Sequence, residues 1–256
     1  LIITDGTTFW DLNRTINGNV NDTITLDNDY AFNQTTDSAF IDSIEISRPV
    51  TIIGNNHTID GKGQAGIFWV TGDNVSINNI IFVNGYDDFD AGAIYWDGAN
   101  GHVSGSVFSG NKADHVGGAI VWKGANGTVS DSIFIGNNAS QDGGAIYWWA
   151  VNGTVLRSTF ITNHADNNGG AVYWTEENGT VSDSIFINNT ARRGFAVHAT
   201  ELLKADYCWF GGNATNYMDT LPIGGEAHCN YILFLNATAN PNPVQLFGTS
   251  EVIFKL

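Results

Sequence analysis

Basic residues are scarce in this chain. Ten lysines and arginines stand against 26 aspartates and glutamates, and the formal net charge at pH 7 is -16. Proteins that bind nucleic acid or anionic lipid use clustered cations to neutralise phosphates. No apolar run approaches the roughly 18 residues of a membrane helix. The sequence therefore predicts a protein with no nucleic-acid partner and no direct membrane insertion.

The usual signatures of cofactor and metal chemistry are also missing. The six histidines lack metal-ligand spacing, and the chain has only two cysteines. No Gly-x-Ser-x-Gly motif, Walker loop or dinucleotide fingerprint is present. We therefore predict no metal centre and no cofactor. Calcium stays open, because the Asp-rich turns offer hard oxygen ligands even though no calcium-binding nonapeptide is present.

What the chain has in abundance is a repeat of about 26 residues. Each unit contains a glycine four places before a tryptophan, and a phenylalanine three places before an asparagine. The members of these columns are Gly92, Gly118, Gly144 and Gly170; Trp96, Trp122, Trp148 and Trp174; Phe108, Phe134, Phe160 and Phe186; and Asn111, Asn137, Asn163 and Asn189. A fixed period of this length indicates stacked repeats.

The residue types inside the repeat predict strands rather than helices. Each unit holds two short runs rich in β-branched and aromatic residues, such as 145–148 and 154–161, bounded by Gly and Asn clusters. No apolar pattern of helical period fits between them. Successive coils would place parallel strands about 4.8 Å apart. We therefore predict an all-β, right-handed parallel β-helix of the pectin lyase-like type, with residues 46–240 forming the solenoid.

Alternation along the strands predicts which columns face inward. We assign the Phe column to the interior, together with the serines two residues before it, and the Asn column to a turn where side-chain amides can bond each other. In the Gly-Gly-Ala-Ile-Tyr-Trp strand we assign Ile and Trp to the interior. The Tyr column tolerates His198, so we place it outside.

The ends of the stack need covers, because an open solenoid end exposes unpaired strands and core. Residues 1–45 are predicted to form an N-terminal cap with the opening strands at 23–26 and 44–46 and a polar loop at 28–38. Thr7 or Thr8 can N-cap a short helix over 7–17. The apolar face of that helix would consist of Phe9, Leu12 and Ile16. Residues 241–256 are interpreted as a C-terminal strand that leads toward a following domain.

Two motifs carry a family resemblance. The segments Gly117-Gly118-Ala119-Ile120 and Phe134-Ile135-Gly136-Asn137 resemble the repeats of polymorphic outer-membrane adhesins. The stretch 55–61, the Tyr-Trp strands and the stretch from Tyr207 to Pro241 are more similar to the adhesin-like surface proteins of methanogenic archaea. This resemblance implies a large, secreted, cell-wall-associated protein that contacts a glycan or protein of another cell.

The sequence favours binding over catalysis. Flat rings at regular spacing can stack on sugars or anchor a partner, or they can simply cover neighbouring turns. The proposed binding rings are Tyr95, Tyr147, Tyr173, Trp69 and Trp149. A second candidate surface is the aliphatic strip Ile133, Ile135, Ile161, Ile185 and Ile187, which a loop could instead cover.

The rival functions are a polysaccharide hydrolase or lyase and a passive cell-wall spacer. Carboxylates one or two coils apart would stand at the separations that glycosidases use. The best-placed candidates are Asp87, Asp88, Asp90 and Asp114. Aspartate is nevertheless common in turns for its own backbone bonds, and every repeat carries a similar set. A spacer would show regular columns and neither binding nor turnover.

Covalent modifications are the last expectation. Twelve Asn-x-Ser/Thr sequons occur, among them Asn126, Asn152 and Asn178, and they suit an extracellular glycoprotein, although an Asn-rich chain also generates sequons by chance. Cys208 aligns with the inward Ser column, and Cys229 follows close to one coil later. A disulfide between them would close the C-terminal coil; two buried, reduced thiols are the alternative.

Overall fold

The computed structural model describes residues 7–211, 223–228 and 232–233. They form about 8 parallel coils of a β-solenoid, with one α-helix, Phe9–Asn17, and one short 3₁₀ helix, Ser38–Phe40. Residues one coil apart pair in register; Ile94, for example, pairs with Ile120 and Ile120 with Ile146. The predicted all-β parallel β-helix is confirmed.

The strands lie on four faces; three of these faces run along most of the described coils, and the fourth, short face is present in four coils. The Tyr-Trp face contains Ile44–Ile46, Phe68–Val70, Ile94–Trp96, Ile120–Trp122, Ile146–Trp148 and Val172–Trp174. The Val face contains Thr23–Thr25, Thr51–Ile53, Ser76–Asn78, His102–Ser104, Thr128–Ser130, Thr154–Leu156 and Gly179–Ser182. The long strand Val197–Asp206 continues both faces and pairs with Ile223–His228.

The other two faces complete the coil. The Phe face contains Tyr30–Ala31, Thr58–Asp60, Ile81–Val83, Val107–Ser109, Ile133–Ile135, Thr159–Ile161, Ile185–Ile187, Cys208–Gly211 and Ile232–Leu233. The short face contains Tyr86–Asp87, Lys112–Ala113, Asn138–Ala139 and His164–Ala165.

Two stacks of aromatic rings fill the interior. Trp96, Trp122, Trp148 and Trp174 are fully buried, with ring centroids 4.3–4.8 Å apart. The Phe column from Phe82 to Phe186 stacks at 4.7–4.9 Å. The centroid spacing equals the spacing of parallel strands, so each coil adds one ring to each stack. The inward assignment of both columns is confirmed.

The buried asparagines form a ladder of hydrogen bonds. Asn137 Nδ2 donates to Asn163 Oδ1 (2.9 Å) and to the Phe108 carbonyl (3.0 Å), while Asn137 Oδ1 accepts from the backbone N–H of Asn111 (3.0 Å). The same contacts recur one coil later at Asn163. Because these side chains satisfy turn groups that are out of reach of water, their role is structural.

The serine column is buried too, and it bonds across the coils. Ser132 Oγ donates to the Ser130 carbonyl (2.7 Å) and accepts from the backbone N–H of Ser106 (3.2 Å). These bonds lie at the corner between the Val face and the Phe face. The inward prediction for serine is confirmed.

The N-terminal helix covers the first coil. Thr8 is its N-cap and forms a capping box with Asp11, and Phe9, Leu12 and Ile16 are buried, as predicted. The buried carboxylate of Asp37 accepts from the backbone N–H groups of Phe9 (3.0 Å) and Trp10 (3.1 Å). A carboxylate at this end also complements the helix dipole.

The prediction of a polar loop at 28–38 is correct for residues 33–37 but wrong for Tyr30–Ala31. Tyr30–Ala31 is a strand that pairs with Ile59 and Asp60, and Tyr30 and Phe32 are buried. Asn, Asp and Thr residues surround this short apolar segment, so the sequence pattern did not indicate a strand. Burial between the N-terminal helix and the second coil stabilises the segment as a strand. Residues 23–46 therefore supply the first set of paired strands. The strand expected at 241–256 lies outside the described residues.

A charged pair marks the turn between the Val and Phe faces. Asp131, Arg157 and Asp183 occupy one column, each with a positive φ of 45–51°. Arg157 binds Asp131 in a bidentate manner, at 2.7 and 2.8 Å, and this guanidinium lowers the pKa of the Asp131 carboxyl. The column is thus a charge-alternating ladder with one closed pair, and the pKa of Arg157 is raised first by its hydrogen bond to Asp131 and to a smaller extent by the charge of Asp183.

Replacing Arg157 by aspartate should lower the melting temperature slightly at low ionic strength, because three carboxylates would then lie about 5 Å apart. Salt should reduce the difference, since all three groups are exposed. The check is a thermal melt in low and high salt. Arg192→Asp, also on an exposed arginine, is the matched control for net charge. An equal melting shift in the two variants would contradict a specific ladder.

Candidate binding face and groove

The proposed binding rings lie on the outer side of the Tyr-Trp face. In register along one column are Glu45, Trp69, Tyr95, Val121, Tyr147, Tyr173 and His198. Alternation along the strand turns this column away from the buried Ile and Trp columns. The outward direction predicted for the tyrosines is confirmed.

The tyrosines are half-buried rather than fully exposed, which corrects the expected exposure. Val121 stands in their column and is completely buried, because Tyr95 and Tyr147 pack over it together with Ala91 and Val116. Burial raises the pKa of Tyr147 to about 12 and also raises that of Tyr173. The rings thus both cover a small outer cluster and present an edge or face to solvent.

Ring contacts join the part of the Tyr column nearer the C-terminus, called its distal part below. Tyr147 and Tyr173 have centroids 5.2 Å apart, and Tyr173 stacks on His198 at 5.5 Å. Trp149, half exposed, lies edge-on to Tyr147 at 6.3 Å. Burial lowers the pKa of His198, so its ring is neutral at pH 7.

The repeat changes at Trp149 and Ala150. In the two preceding coils the position of Ala150 is occupied by Gly98 and Gly124. A Cβ added to Gly124 would lie 1.7 Å from the Gly98 carbonyl oxygen. Trp122 Nε1 donates to the Gly124 carbonyl (2.9 Å), whereas Trp148 Nε1 is buried and has no partner among the described residues. Beside this alanine, Trp149 and Val151 are exposed.

A lysine links the two halves of the face. Lys123 Nζ lies 4.9 Å from the centroid of the Tyr95 ring and 4.7 Å from that of Trp149, and it donates to the Tyr95 hydroxyl. These are cation–π distances. Lys123 is thereby held against the rings, where it fills the space beside the smaller Val121.

A groove of about 370 Å³ opens at the end of the Tyr-Trp face nearer the N-terminus, called the proximal end below. Its aromatic wall is Trp69, Phe89 and Tyr95, and its carboxylates are Asp42, Asp87, Asp90 and Asp97. This size falls within the range of small-ligand sites. Trp69 is 43% exposed and Phe89 63% exposed, so both rings are open to a ligand.

Internal bonds hold the groove walls in place. Trp69 Nε1 donates to Asp97 Oδ2 (2.8 Å), and Phe89 stacks on His115 at 4.8 Å. His115 Nδ1 in turn lies 2.6 Å from Asp90 Oδ1. Asp87 Oδ1 accepts from the backbone N–H of Phe89 (2.7 Å). The loop that carries Phe89 is thus tied both to its own strand and to the next coil.

The carboxylates considered for catalysis separate into two places. Asp87 and Asp90 line the groove, and burial, with Asp88 and Asp42 nearby, raises the pKa of Asp87. Asp114 lies on the short face, where it accepts from Tyr86 (2.7 Å) and pairs with Lys112 (2.7 Å), which lowers its pKa. Among the described residues, no group of three or more His, Cys, Asp or Glu side chains is arranged to hold a metal ion.

The sequon asparagines form an exposed column at the turn between the Tyr-Trp and Val faces. Asn126, Asn152 and Asn178 have φ values of 57–60°. Asn152 Nδ2 donates to Asn126 Oδ1 (3.1 Å), and Asn126 Nδ2 donates to Asn100 Oδ1 (3.1 Å). Glycosylation at these positions stays a prediction.

The aliphatic strip faces outward on the Phe face. Ile133, Ile135 and Ile185 are exposed, and Ile161 and Ile187 are half-buried. Cys208 is buried, with its Sγ 3.7 Å from the Val181 carbonyl oxygen. Cys229 lies outside the described residues, so the disulfide stays a prediction.

These features define a class: a parallel β-solenoid repeat protein with a stacked aromatic core and an aromatic outer face. Residues 105–121 and 131–147 match the Chlamydia polymorphic membrane protein repeat. The matched segments contain Phe108, Asn111, Phe134 and Asn137, which build the inner columns, so the chain carries polymorphic-protein-like repeats. No curated protein matches the chain. In the part of the chain that the structure describes, no helix is long and apolar enough to cross a membrane.

Sequence reasoning missed part of the site. Phe89, Asp42, Asp97 and Lys123 were not recognised as belonging to the aromatic face. The available signal was the column Asp97, Lys123, Trp149, in which the residue type changes at every coil of an otherwise regular repeat. Asp42 lies before the regular repeats, and Phe89 stands in a column that continues as His115, Gln141 and Asn167 without a shared residue type, so only the folded chain brings the two together.

Proposed function

We propose that the protein is a surface adhesin-like β-helix that binds a glycan on the surface of another cell through its Tyr-Trp face. The observation that carries the proposal is the outward column of Trp69, Tyr95, Tyr147 and Tyr173, with Trp149 beside it and exposed rings at Trp69 and Trp149. Aromatic rings combine a large apolar contact with a polar rim, which suits sugars. The match to a polymorphic membrane protein repeat supports an outer-surface location.

The finer parts of the proposal rest on sequence. Sequons support an extracellular, cell-wall-associated glycoprotein, and the resemblance to adhesin-like proteins of methanogenic archaea supports cell contact as the role. A binding protein, rather than an enzyme, is favoured because Asp114 is paired with Lys112 and does not line the groove that contains Asp87 and Asp90. Protein partners on the same rings remain the alternative ligand class, while nucleic acid and direct membrane insertion are disfavoured by the charge.

The test is a glycan array run beside a reducing-sugar release assay. We expect retention of a defined set of glycans and no release. The variants Trp69→Ser and Trp149→Ser should reduce retention without unfolding the protein, because both rings are about half exposed. Replacing Tyr95, Tyr147 and Tyr173 together is a poorer test, since Tyr95 and Tyr147 cover Val121.

Ile135→Ser, on the exposed part of the Phe face, is the matched control and should leave retention unchanged. Release of reducing sugar, abolished by Asp87→Asn, would replace the proposal with a polysaccharide-degrading enzyme. Absence of both retention and release would favour a passive wall spacer.

A further inference from the structure

The groove at the proximal end of the Tyr-Trp face has a charge of one sign only. Its lining includes Asp42, Asp87, Asp90 and Asp97 and contains no lysine, arginine or histidine. Of the neighbouring lysines, Lys112 pairs with Asp114, and Lys123 lies over the rings of Tyr95 and Trp149. His115 stacks on Phe89 and lies 2.6 Å from Asp90. A ligand in the groove therefore meets net negative charge.

The groove carboxylates keep capacity to accept hydrogen bonds. An ionised carboxylate offers about four acceptor sites. Asp97 accepts from Trp69 Nε1 (2.8 Å), and Asp87 accepts from the backbone N–H of Phe89 (2.7 Å) and from the backbone of Asp90. A ligand with several N–H or O–H donors would use the remaining sites. An anionic sugar, such as a uronic acid, would be repelled.

The same carboxylates are spread too widely for a metal. A calcium site requires six to eight oxygens around one point, and no group of the described acidic, His or Cys residues is arranged to hold a metal ion. The carboxylates instead line a groove of about 370 Å³ whose other wall consists of aromatic rings. Extended aromatic and acidic walls fit an organic cation, because ring faces attract ammonium groups and carboxylates pair with them.

We propose that this groove selects a glycan that carries primary ammonium groups, that is, an oligomer of a non-acetylated amino sugar. This inference rests on the proposed function and names the substrate class of one part of the face. Trp69 and Phe89, the two exposed rings of the groove, stack on the sugar rings, while Asp42, Asp87, Asp90 and Asp97 receive the ammonium groups. The distal rings around Trp149, next to Lys123, have no such carboxylate set and do not contribute this charge preference.

The experiment compares two oligomers that differ only in charge. Isothermal titration of the whole chain would use a glucosamine oligomer and the N-acetylglucosamine oligomer of equal length. We expect the glucosamine oligomer to bind at least about tenfold more tightly at low salt, a preference that falls as salt is added. Asp87→Asn with Asp97→Asn should remove most of this preference, and Trp69→Ser should weaken both ligands.

Controls keep structural damage apart from loss of binding. Asp42→Asn changes an exposed residue and should reduce the preference by itself without a change in the melting temperature. Asp183→Asn removes an exposed carboxylate in a different turn and should have no effect on either ligand.

Three results would overturn the inference. Equal affinity for the two oligomers, with glycan retention elsewhere on the array, would leave the proposed function standing and refute the charge selection. Oligolysine that binds as tightly as the glucosamine oligomer would refute a sugar ligand. If the preference for the glucosamine oligomer persisted in the Asp87→Asn, Asp97→Asn double variant and in Asp42→Asn, the residues that cause the preference would lie outside the groove.

Discussion

Replacing Asn137 by leucine is expected to lower the free energy of unfolding by at least about 3 kcal/mol. The variant leaves the backbone N–H of Asn111 and the Phe108 carbonyl without their side-chain partner in a site that is closed to water, and Asn163 Oδ1 keeps only the backbone N–H of residue 137. Each buried group left unsatisfied costs about 1–3 kcal/mol. The cost exceeds that of a surface hydrogen bond because the ladder continues through neighbouring coils.

Equilibrium unfolding in urea measures this loss. Asn138→Leu is the matched control: the same substitution at the next residue, on a half-buried side chain of the short face, should change stability by no more than about 0.5 kcal/mol. Similar losses in the two variants would show that the ladder contributes nothing specific, and hydrogen exchange at Asn111 and Asn163 would locate the damage.

Replacing Phe134 by alanine should cost about 3–5 kcal/mol. Phe134 is fully buried and stacks between Phe108 at 4.7 Å and Phe160 at 4.8 Å, so its removal opens a cavity with rings above and below it. The surrounding strands cannot close this gap, because their separation is set by backbone hydrogen bonds. In a solenoid, stability is a sum of coils and their interfaces, so the defect should loosen the neighbouring coils first.

The control for Phe134 is the residue before it. Ile133 is 39% exposed on the outside of the same strand, and Ile133→Ala should cost about 1 kcal/mol or less. Urea unfolding of both variants is the measurement. A larger loss for Ile133→Ala would mean that the strand is turned the other way, with the isoleucines inside. Such a result would overturn the assignment of every column on this face.

The core was predictable because a column repeats. Residues equivalent to Phe134 and to Trp122 recur about every 26 residues. A wrong inward or outward assignment of one such column would therefore be repeated in every coil and would bury polar side chains in each of them. The outer face was only partly predictable. Val121 stands in the Tyr column, and its complete burial under Tyr95 and Tyr147 depends on how two larger neighbours fold over a smaller side chain.

The sequence by itself determined the parallel stack, its register and its inner columns, because one period of residues equals one coil and side chains alternate along each strand. Only the tertiary structure decided the groove. Asp42, Trp69 and Phe89 come from three non-equivalent positions, and no periodicity relates them. The same holds for Asp37, which caps a helix that begins 28 residues earlier in the chain. Contacts between segments that do not repeat depend on the path of each loop, and that path is set by packing rather than by local pattern.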